Sequence, residues 1–300
     1  MKKKAGGKKP AGVPAWVWFM APSILGTACF ILLPFGDVIR RSFCSVLGGQ
    51  FTGLSNFRTV TGNQAFRLAV KNTVRFTAVC LPILIGSGLL IAVKLSRLKH
   101  PRLMKTLFLF PMAVPAATVV LIWHMTFGRL GFLNGLLDSL AGRLPGAVQA
   151  ALGLSGGPVR IAYMDTELSF WVLVFSYVWK NLGYTIVLWM AGIMGIPAAI
   201  TEAARIDGAG ERQIFWHVVL PNLKGSLYTI TVLSLLNSFK VFREAYLVSG
   251  AYPQENIYLM QHLFNNWFVN MELDKMAAAA VLLASVLLVL IMAVQKVRPE

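Results

Sequence analysis

The sequence KMAAAAVLLASVLLVLIMAVQ, residues 275–295, decides the class of fold to which this chain belongs. After Lys275 the segment contains no charged residue. A helix needs about 20 predominantly apolar residues to cross the hydrocarbon layer of a bilayer. The segment therefore predicts a membrane-spanning helix near the end of the chain.

Five other apolar runs of similar length precede this one, and clusters of charged residues separate them. The six predicted spans are residues 16–38, 73–95, 104–127, 168–194, 226–248 and 275–295. Several spans contain proline or glycine, such as Pro82, Pro111, Pro115 and Gly183. Such residues suit a bundle in which neighbouring helices or a cavity satisfy the freed backbone groups, or they simply bend helices for packing. The predicted fold class is all-α: a polytopic membrane protein with about six transmembrane helices.

The composition of the chain indicates a lipid environment. Hydrophobic residues make up 56% of the chain and charged residues 13%, whereas soluble domains carry about 25% charged residues. The net charge of +16 does not indicate a nucleic-acid partner, because no segment is polar enough to present a basic domain face. Many basic residues instead flank the apolar runs, where they meet anionic lipid head groups. The scattered cysteines, Cys29, Cys44 and Cys80, suit neither a disulfide framework nor a metal site.

The distribution of basic residues predicts the topology. Residues 1–15 form a basic tail, and the run at 16–38 is an uncleaved anchor because it is long enough to span and lacks a clear cleavage site. The tail, the loops at 94–105 and 195–224, and the C-terminus hold fifteen Lys and Arg residues, against eight in the opposite loops. This excess favours cytoplasmic termini. Five of the eight lie in the first outer loop, which weakens the bias.

The most polar long segment in the second half of the chain is the loop at residues 195–224. Pro197 suits the first turn of a helix, and the alanine-rich sequence favours a helix as far as Ile206. Glycines then provide a turn. A second helix can follow to Val219, and Pro221 is expected to stop it. The predicted product is a helix–turn–helix knob outside the lipid.

The residues of this loop alone leave two interpretations open. An apolar patch of small and branched residues is formed by Ile200, Ala203, Ala204 and Ile206, with Glu202 and Arg205 beside it. Such a patch can dock in a groove on another protein. The same pattern fits an amphipathic helix that lies on the lipid surface.

The order of residues in this loop resembles the cytoplasmic "EAA" loop of ABC importer permeases. The matching positions are Glu202, Ala203, Ala204, Asp207, Gly208, Ala209, Phe215, Leu220 and Pro221. In that family the loop is a coupling helix that sits in a cleft of a separate ATPase subunit. The resemblance implies that these residues couple the chain to an ATPase and that both termini are cytoplasmic.

The resemblance covers nearly the whole chain, from Trp16 to Val294, and points to carbohydrate-uptake permeases of the maltose type. The other matching residues are Gly53-Leu54-Ser55-Asn56-Phe57, Phe66, Asn72-Thr73, Phe110-Pro111, Pro115, Trp123 and Gly131-Phe132-Leu133-Asn134. Two regions depart from the family pattern. Gly225 replaces a frequent proline. The fifth span ends in FKVFREAY at residues 239–246, where many relatives carry a less charged sequence followed by Thr-x-Gly-Gly-Pro, and residues 249–253 here read SGAYP. The departures leave the coupling role intact and the solute undetermined.

The chain lacks a G-x-x-x-x-G-K-[ST] phosphate loop and therefore cannot by itself be the ATPase. The resemblance implies that residues 16–300 form the transmembrane domain of an ATP-driven, binding-protein-dependent importer of a sugar or oligosaccharide. It implies no cofactor on this chain, with ATP and Mg on a partner ATPase subunit dimer. The other implied partners are a second homologous permease, an extracellular solute-binding protein and the lipid bilayer. The implied location is the bacterial inner membrane.

Polar and charged residues in the fourth and fifth predicted spans are candidates for the solute path. They are Trp179, Lys180, Asn181, Asn237, Lys240, Arg243 and Glu244. A charge inside the membrane costs roughly 2.5–3.5 kcal/mol on insertion scales. Lys240 and Glu244 are four residues apart and could offset that cost as a local ion pair, or the charges could extend to the interface. Alternatively, these side chains line a hydrated path, where amide, ammonium and indole groups suit a sugar.

Two rival functions explain part of the sequence. A secondary transporter or channel driven by an ion gradient would account for the spans and the buried charges but not for the Glu-Ala-Ala loop. A membrane-anchored scaffold without transport would show no solute-dependent stimulation of an ATPase.

Overall fold

The computed structural model describes residues 15–46, 48–98, 102–143, 145–146 and 160–296. Of the predicted basic tail at 1–15, only Ala15 lies within these residues. The α-helices are α1 (Ala15–Thr27), α2 (Leu33–Ser42), α3 (Ser55–Gly62), α4 (Gln64–Ser96), α5 (Arg102–Ala113), α6 (Ala116–Phe127), α7 (Phe132–Ala141), α8 (Ser169–Met194), α9 (Ala198–Ile206), α10 (Glu211–Ile214), α11 (Leu220–Asn222), α12 (Lys224–Ser238), α13 (Phe242–Ser249), α14 (Met260–Val269) and α15 (Leu273–Gln295).

Short turns of other helical types connect several of these elements. They are π-helical at Ala28–Leu32 and Phe215–Val219, and 3₁₀ at Phe239–Val241 and Glu255–Ile257. Within the described residues, β-structure is limited to one isolated bridge between Cys44 and Phe51. The all-α prediction is confirmed.

Within the described ranges, five helical segments are long and apolar enough to cross a membrane. They are Val17–Ser42, Gln64–Ser96, Ala116–Ala141, Ser169–Met194 and Leu273–Gln295. A sixth results if Glu211–Asn222 and Lys224–Ser249, which are bent by 64° relative to each other, count as one span. This count agrees with the predicted polytopic architecture.

The third predicted span, 104–127, is not a single helix. α5 ends at Ala113 and α6 begins at Ala116, because Pro115 has no N–H to donate and disfavours the helical conformation at Val114. The apolar segment of spanning length begins after this break and includes α7. The second predicted span, 73–95, lies within the longer α4.

The end of the first span also differs from prediction. Arg40 and Arg41, predicted to lie in an outer loop, occupy the last turn of α2. Asp37 accepts hydrogen bonds from both guanidinium groups, at 3.0 Å from Arg40 Nη2 and 2.6 Å from Arg41 Nε. Because Asp37 pairs with both arginines, α2 can continue beyond the apolar run to Ser42.

The chain divides into two compact units. One comprises the described residues up to Val60 together with Met271–Ala284, and the other comprises Thr61–Asn270 together with the residues from Ser285 onward. In the first unit, the Asn56 amide donates to the carbonyl oxygens of Ser42 (3.1 Å) and Cys44 (2.9 Å). The buried Asn56 side chain thus stabilises the loop that follows α2.

The second unit is built around α4 and α8. Phe76, Cys80 and Leu84 of α4 pack against Phe170, Leu173, Val174 and Tyr177 of α8, in a cluster that also includes Ala245 of α13. Farther along the same helices, Trp189 is buried and donates from Nε1 to the Ile85 carbonyl oxygen at 3.1 Å. Interior positions of a membrane bundle gain stability from such packing and hydrogen bonds between helices.

Gly183 allows α8 to approach α5 backbone to backbone. A β-carbon at this position would overlap the Phe108 carbonyl group and lie 2.8 Å from the Leu109 Cα. A rigid backbone cannot yield as a flexible side chain can. Only glycine therefore permits this contact, as is common where membrane helices pack closely.

We expect Gly183→Ala to destabilise the fold by about 1–3 kcal/mol, because the added methyl group must push α5 away from α8. The measurement is thermal unfolding of the purified protein in detergent. Gly86→Ala is the matched control, since a β-carbon at Gly86 in α4 would meet no atom within 4 Å. Equal unfolding temperatures for the two variants would contradict the prediction.

Candidate functional site

A cavity of about 340 Å³ lies beside α8 in the second unit. Its lining comes from α5, α8, the α12–α13 segment and α14. The lining residues are Met112, Ser176, Tyr177, Lys180, Asn181, Asn237, Phe239, Lys240, Val241, Phe242, Arg243, Glu244 and Gln261. All the predicted solute-path residues except Trp179 are therefore in one place.

Helical periodicity explains how two separate segments supply these side chains. In α8, Lys180 and Asn181 follow Ser176 by four and five positions, so all three project from one face. In the second segment, a 3₁₀ turn at Phe239–Val241 lies between α12 and α13 and carries Lys240. Asn237 precedes this turn by two residues.

Trp179 does not line the cavity. Neighbouring positions on a helix differ by about 100°, so Trp179 projects to one side of Lys180, towards the edge of the cavity-lining face. Its ring packs edge-to-face against Trp123 with centroids 5.3 Å apart. The Trp123 indole in turn donates to Ser176 Oγ at 2.8 Å. The structure therefore places Trp179 in an aromatic cluster.

Glu244 pairs with Lys180 and not with Lys240. The Lys180 ammonium donates to Glu244 Oε1 across the contact between α8 and α13. The Glu244 side chain is 7% exposed and the Lys180 side chain 22%. A buried carboxylate needs a partner to remain charged, and Lys180 provides it. The local pair suggested by the four-residue spacing of Lys240 and Glu244 does not form.

Lys240 and Arg243 also line the cavity. Both are exposed, and neither forms an ion pair within the described part of the chain. The cavity therefore contains three basic side chains and one carboxylate, and that carboxylate is already paired.

His262 lies close to the cavity, one residue after Gln261, and is neutral. Its Nδ1 accepts the N–H of Leu259 at 3.1 Å, and its ring packs against Phe242 with centroids 4.8 Å apart. Burial lowers the pKa of His262 to about 4, because the charged form would lose its hydration. His262 adds no positive charge to this region near neutral pH.

The second candidate site is the elbow, defined as residues 197–222. Its first helix, α9, begins after Pro197, and none of its residues is buried. Gly208 has φ +82°, and it ends the helix in a Schellman motif: Ala209 N–H bonds to the Ala204 carbonyl oxygen (3.0 Å) and Gly208 N–H to that of Arg205 (3.1 Å). The predicted glycine turn is thus present at the expected residue.

The prediction that the second helix of the elbow stops at Pro221 is wrong. A π turn at Phe215–Val219 leads into α11, and Pro221 lies within α11. The wider turn lets Leu220 N–H bond to the Phe215 carbonyl oxygen, while the Asn222 amide donates to the Val218 carbonyl oxygen at 2.7 Å. These two hydrogen bonds compensate for the backbone hydrogen bond that Pro221 cannot donate. The chain bends afterwards, at the buried Leu223.

Glu211 holds the two helices of the elbow together and ties them to α4. Its Oε1 lies 3.1 Å from Arg205 Nη2, and its Oε2 lies 3.1 Å from Nη2 of Arg97, the residue after α4. Neither Glu211 nor Arg97 is among the site residues predicted from the sequence. Arg205 and Glu211 are close in sequence, but no local signal relates either residue to Arg97.

The predicted coupling residues all lie within the elbow. The structure places Glu202, Ala203 and Ala204 in α9, Asp207, Gly208 and Ala209 in the turn, Phe215 in the π turn, and Leu220 and Pro221 in α11. Most of the surface of α9 and of the turn is exposed, including Ile206, which is 86% exposed. An apolar side chain that is exposed in this way is available to a partner.

The model of a family described as "Binding-protein-dependent transport system inner membrane component" matches residues 84–297 of the chain, a region that contains both the cavity and the elbow. The chain belongs to this family. It is thus a multi-pass membrane permease subunit of a binding-protein-dependent transport system, a transport component and not an enzyme. A gradient-driven transporter is not supported.

Curated relatives cover most of the permease. It is 30% identical over 278 residues to the "Arabinooligosaccharides transport system permease protein AraP" of Bacillus subtilis, covering 90% of this chain and 84% of the relative. It is 26% identical over 279 residues to the "sn-glycerol-3-phosphate transport system permease protein UgpA" of Agrobacterium fabrum, with 90% of each chain covered.

A solved structure shares the fold of the permease. It is described as a bacterial ABC transporter involved in the import of the acidic polysaccharide alginate. The TM-score is 0.75 at 19% sequence identity, and 94% of each chain is covered. The fold of an ABC importer subunit is therefore confirmed.

We expect Glu244→Gln to destabilise the permease by up to about 3 kcal/mol, because it leaves the Lys180 charge unpaired beside an apolar core. Lys180→Met should cost at least as much, since Glu244 is the more buried partner. The double variant should cost less than the sum of the two. Thermal unfolding in detergent measures all three changes, and additive effects would show that the pair does not interact.

We expect Glu211→Gln to loosen the elbow without unfolding the protein, because exposed ion pairs contribute at most about 1 kcal/mol. Amide hydrogen exchange of residues 198–210 should become up to about fivefold faster. Glu202→Gln is the control, since Glu202 is an exposed carboxylate of the same elbow with no ion pair among the described residues. Equal exchange in both variants would refute the role of Glu211.

Proposed function

We propose that the permease imports a saccharide or sugar derivative and that a separate ATPase subunit dimer, which binds ATP and Mg, drives the transport. The names of the relatives support the solute class, since they refer to arabinooligosaccharides, sn-glycerol-3-phosphate and alginate. A second homologous permease completes the membrane assembly. A solute-binding protein on the outer side delivers the solute.

One observation carries this proposal: the elbow joins the two helical segments that line the cavity. α8 ends at Met194, just before the elbow, and carries Lys180 and Asn181. α12 begins at Lys224, just after it, and continues towards Lys240 and Glu244. A force applied to the elbow therefore acts on both segments at once.

The residues proposed to couple the elbow to the ATPase are Glu202, Ala203, Ala204, Asp207, Gly208, Ala209, Phe215, Leu220 and Pro221. Small alanine side chains allow a cleft on the ATPase to approach the α9 backbone closely. Glu202 supplies a charge at the edge of that contact. The Gly208 turn and the Glu211 ion pairs keep the two short helices at a constant angle, so the elbow moves as one body.

The cavity is the proposed part of the solute path in this chain. Its lining includes the predicted solute-path residues Lys180, Asn181, Asn237, Lys240, Arg243 and Glu244, together with Gln261. Amide groups can bond to sugar hydroxyl groups. Movement of α8, α12 and α13 together, relative to the second permease, would change access to these side chains and so provide alternating access to the solute.

The proposed orientation puts the elbow and both termini in the cytoplasm of a bacterial cell with an inner membrane. An ATPase that uses cytoplasmic ATP can only reach an elbow on that side. The basic tail at 1–15 would then face anionic lipids of the inner leaflet. Residues 16–300 form the importer domain in this assignment.

We expect Gly208→Ala to uncouple the importer, because φ +82° strains any residue with a β-carbon and so distorts the turn. ATP hydrolysis stimulated by the purified, loaded binding protein should fall by about tenfold, which corresponds to about 1.4 kcal/mol. The measurement uses the complete importer in proteoliposomes, with vanadate to identify the ATPase signal.

The matched control is Gly225→Ala. Gly225 is also exposed and close to the elbow, but it has no positive φ, and a β-carbon there meets no atom within 4 Å. Glu202→Ala should behave like Gly208→Ala if the contact with the ATPase includes this carboxylate. Normal stimulation in both Gly208→Ala and Glu202→Ala, with the ATPase still bound, would refute the coupling assignment.

A further inference from the structure

The cavity beside α8 has an excess of positive charge. Its lining includes the basic residues Lys180, Lys240 and Arg243, and Glu244 is its one carboxylate. Three positive charges against one negative charge leave an excess of two. The other polar lining groups are neutral amides and hydroxyls.

The carboxylate cannot neutralise the two remaining cations. Glu244 is buried against α8 and accepts a hydrogen bond from the Lys180 ammonium. Lys240 and Arg243 form no ion pair within the residues that the structure describes, and both are exposed on the cavity wall. Two cations on one short segment of a membrane bundle are costly without an anion or water.

The side chains are also of the chemical types that bind anions. An arginine guanidinium can bond to a carboxylate or phosphate through two parallel N–H donors, and a nearby ammonium adds a point charge. The cavity volume of about 340 Å³ lies in the range of small-molecule sites. Asn181, Asn237 and Gln261 add amide groups that can bond to hydroxyl groups.

We propose that Lys240 and Arg243 form an anion-binding subsite, so that this cavity selects a saccharide or polyol carrying a carboxylate or a phosphate over a neutral one. The inference rests on the proposed function, because it deepens the solute class of the same path. Lys180 keeps Glu244 neutralised, and the other two cations remain available to the solute.

The test measures binding to the complete importer in nanodiscs by equilibrium dialysis. Two radiolabelled pairs are compared: digalacturonate with maltose, and sn-glycerol-3-phosphate with glycerol. We expect the anion in at least one pair to bind about tenfold tighter than its neutral counterpart, and added KCl to reduce the difference. The two pairs distinguish a carboxylate preference from a phosphate preference.

The variant K240Q/R243Q should lose the preference for the anion. The charge-conserving variant K240R/R243K should keep most of it, which separates charge from a folding defect. Lys224→Gln is the control, because it removes an exposed lysine from the start of α12, outside the cavity. Thermal unfolding of each variant verifies that it is folded.

Equal or undetectable binding of charged and neutral probes by the natural sequence would overturn the subsite. An unchanged preference in K240Q/R243Q would also overturn it, since another part of the assembly would then supply the selectivity. Both results can occur while the ATPase subunit co-purifies and binding-protein stimulation is normal. In that case the importer assignment stands and only the anion subsite fails.

Discussion

Glu244 can keep its charge inside the bundle only because the Lys180 ammonium lies against it. The pair joins α8 to α13 across a separation of 64 residues. An unpaired carboxylate with 7% exposure would pay a large desolvation cost, so the pair constrains how the two helices meet. Both residues of the pair line the cavity. Because the Glu244 carboxylate is paired with Lys180, it does not neutralise Lys240 or Arg243.

Glycine contacts allow α8 to hold this central position. Gly183 admits the α5 backbone, and a β-carbon at Gly192 would meet Leu223 and Ser226 at the start of α12. α8 also packs along α4 through Phe76, Tyr177 and neighbouring residues. A helix with so many close neighbours cannot shift alone, because interiors are densely packed. Movement at the elbow is therefore expected to displace α8 and α12 as packed units.

The elbow combines exposure with internal order. Its apolar and charged residues face outward, yet hydrogen bonds end α9 at a defined residue, and Glu211 connects both short helices to Arg97. Surface ion pairs contribute little stability, so their importance here is geometric. Close to the elbow, Leu223 is buried against α8 residues such as Trp189. This contact links the surface elbow to the packed bundle.

Local sequence patterns predict the membrane fold, the approximate spans, the glycine turn at Gly208 and the family resemblance of the elbow. Those features follow from local rules: the length of an apolar run, helix propensity and the conformational freedom of glycine. Local rules erred where other structure intervened. Pro115 broke a span that hydrophobicity alone made continuous, and a π turn carried the second helix of the elbow through Pro221.

Which charges meet depends on contacts between distant parts of the chain. The four-residue spacing allowed an ion pair between Lys240 and Glu244. Glu244 is instead buried against α8, where it pairs with Lys180. Tertiary contacts also place Trp179 against Trp123, outside the cavity lining, and pair Arg97 with Glu211. Such partners are far apart along the chain, and the energy of an ion pair depends on distance and burial in three dimensions. No periodicity in the sequence contains that information.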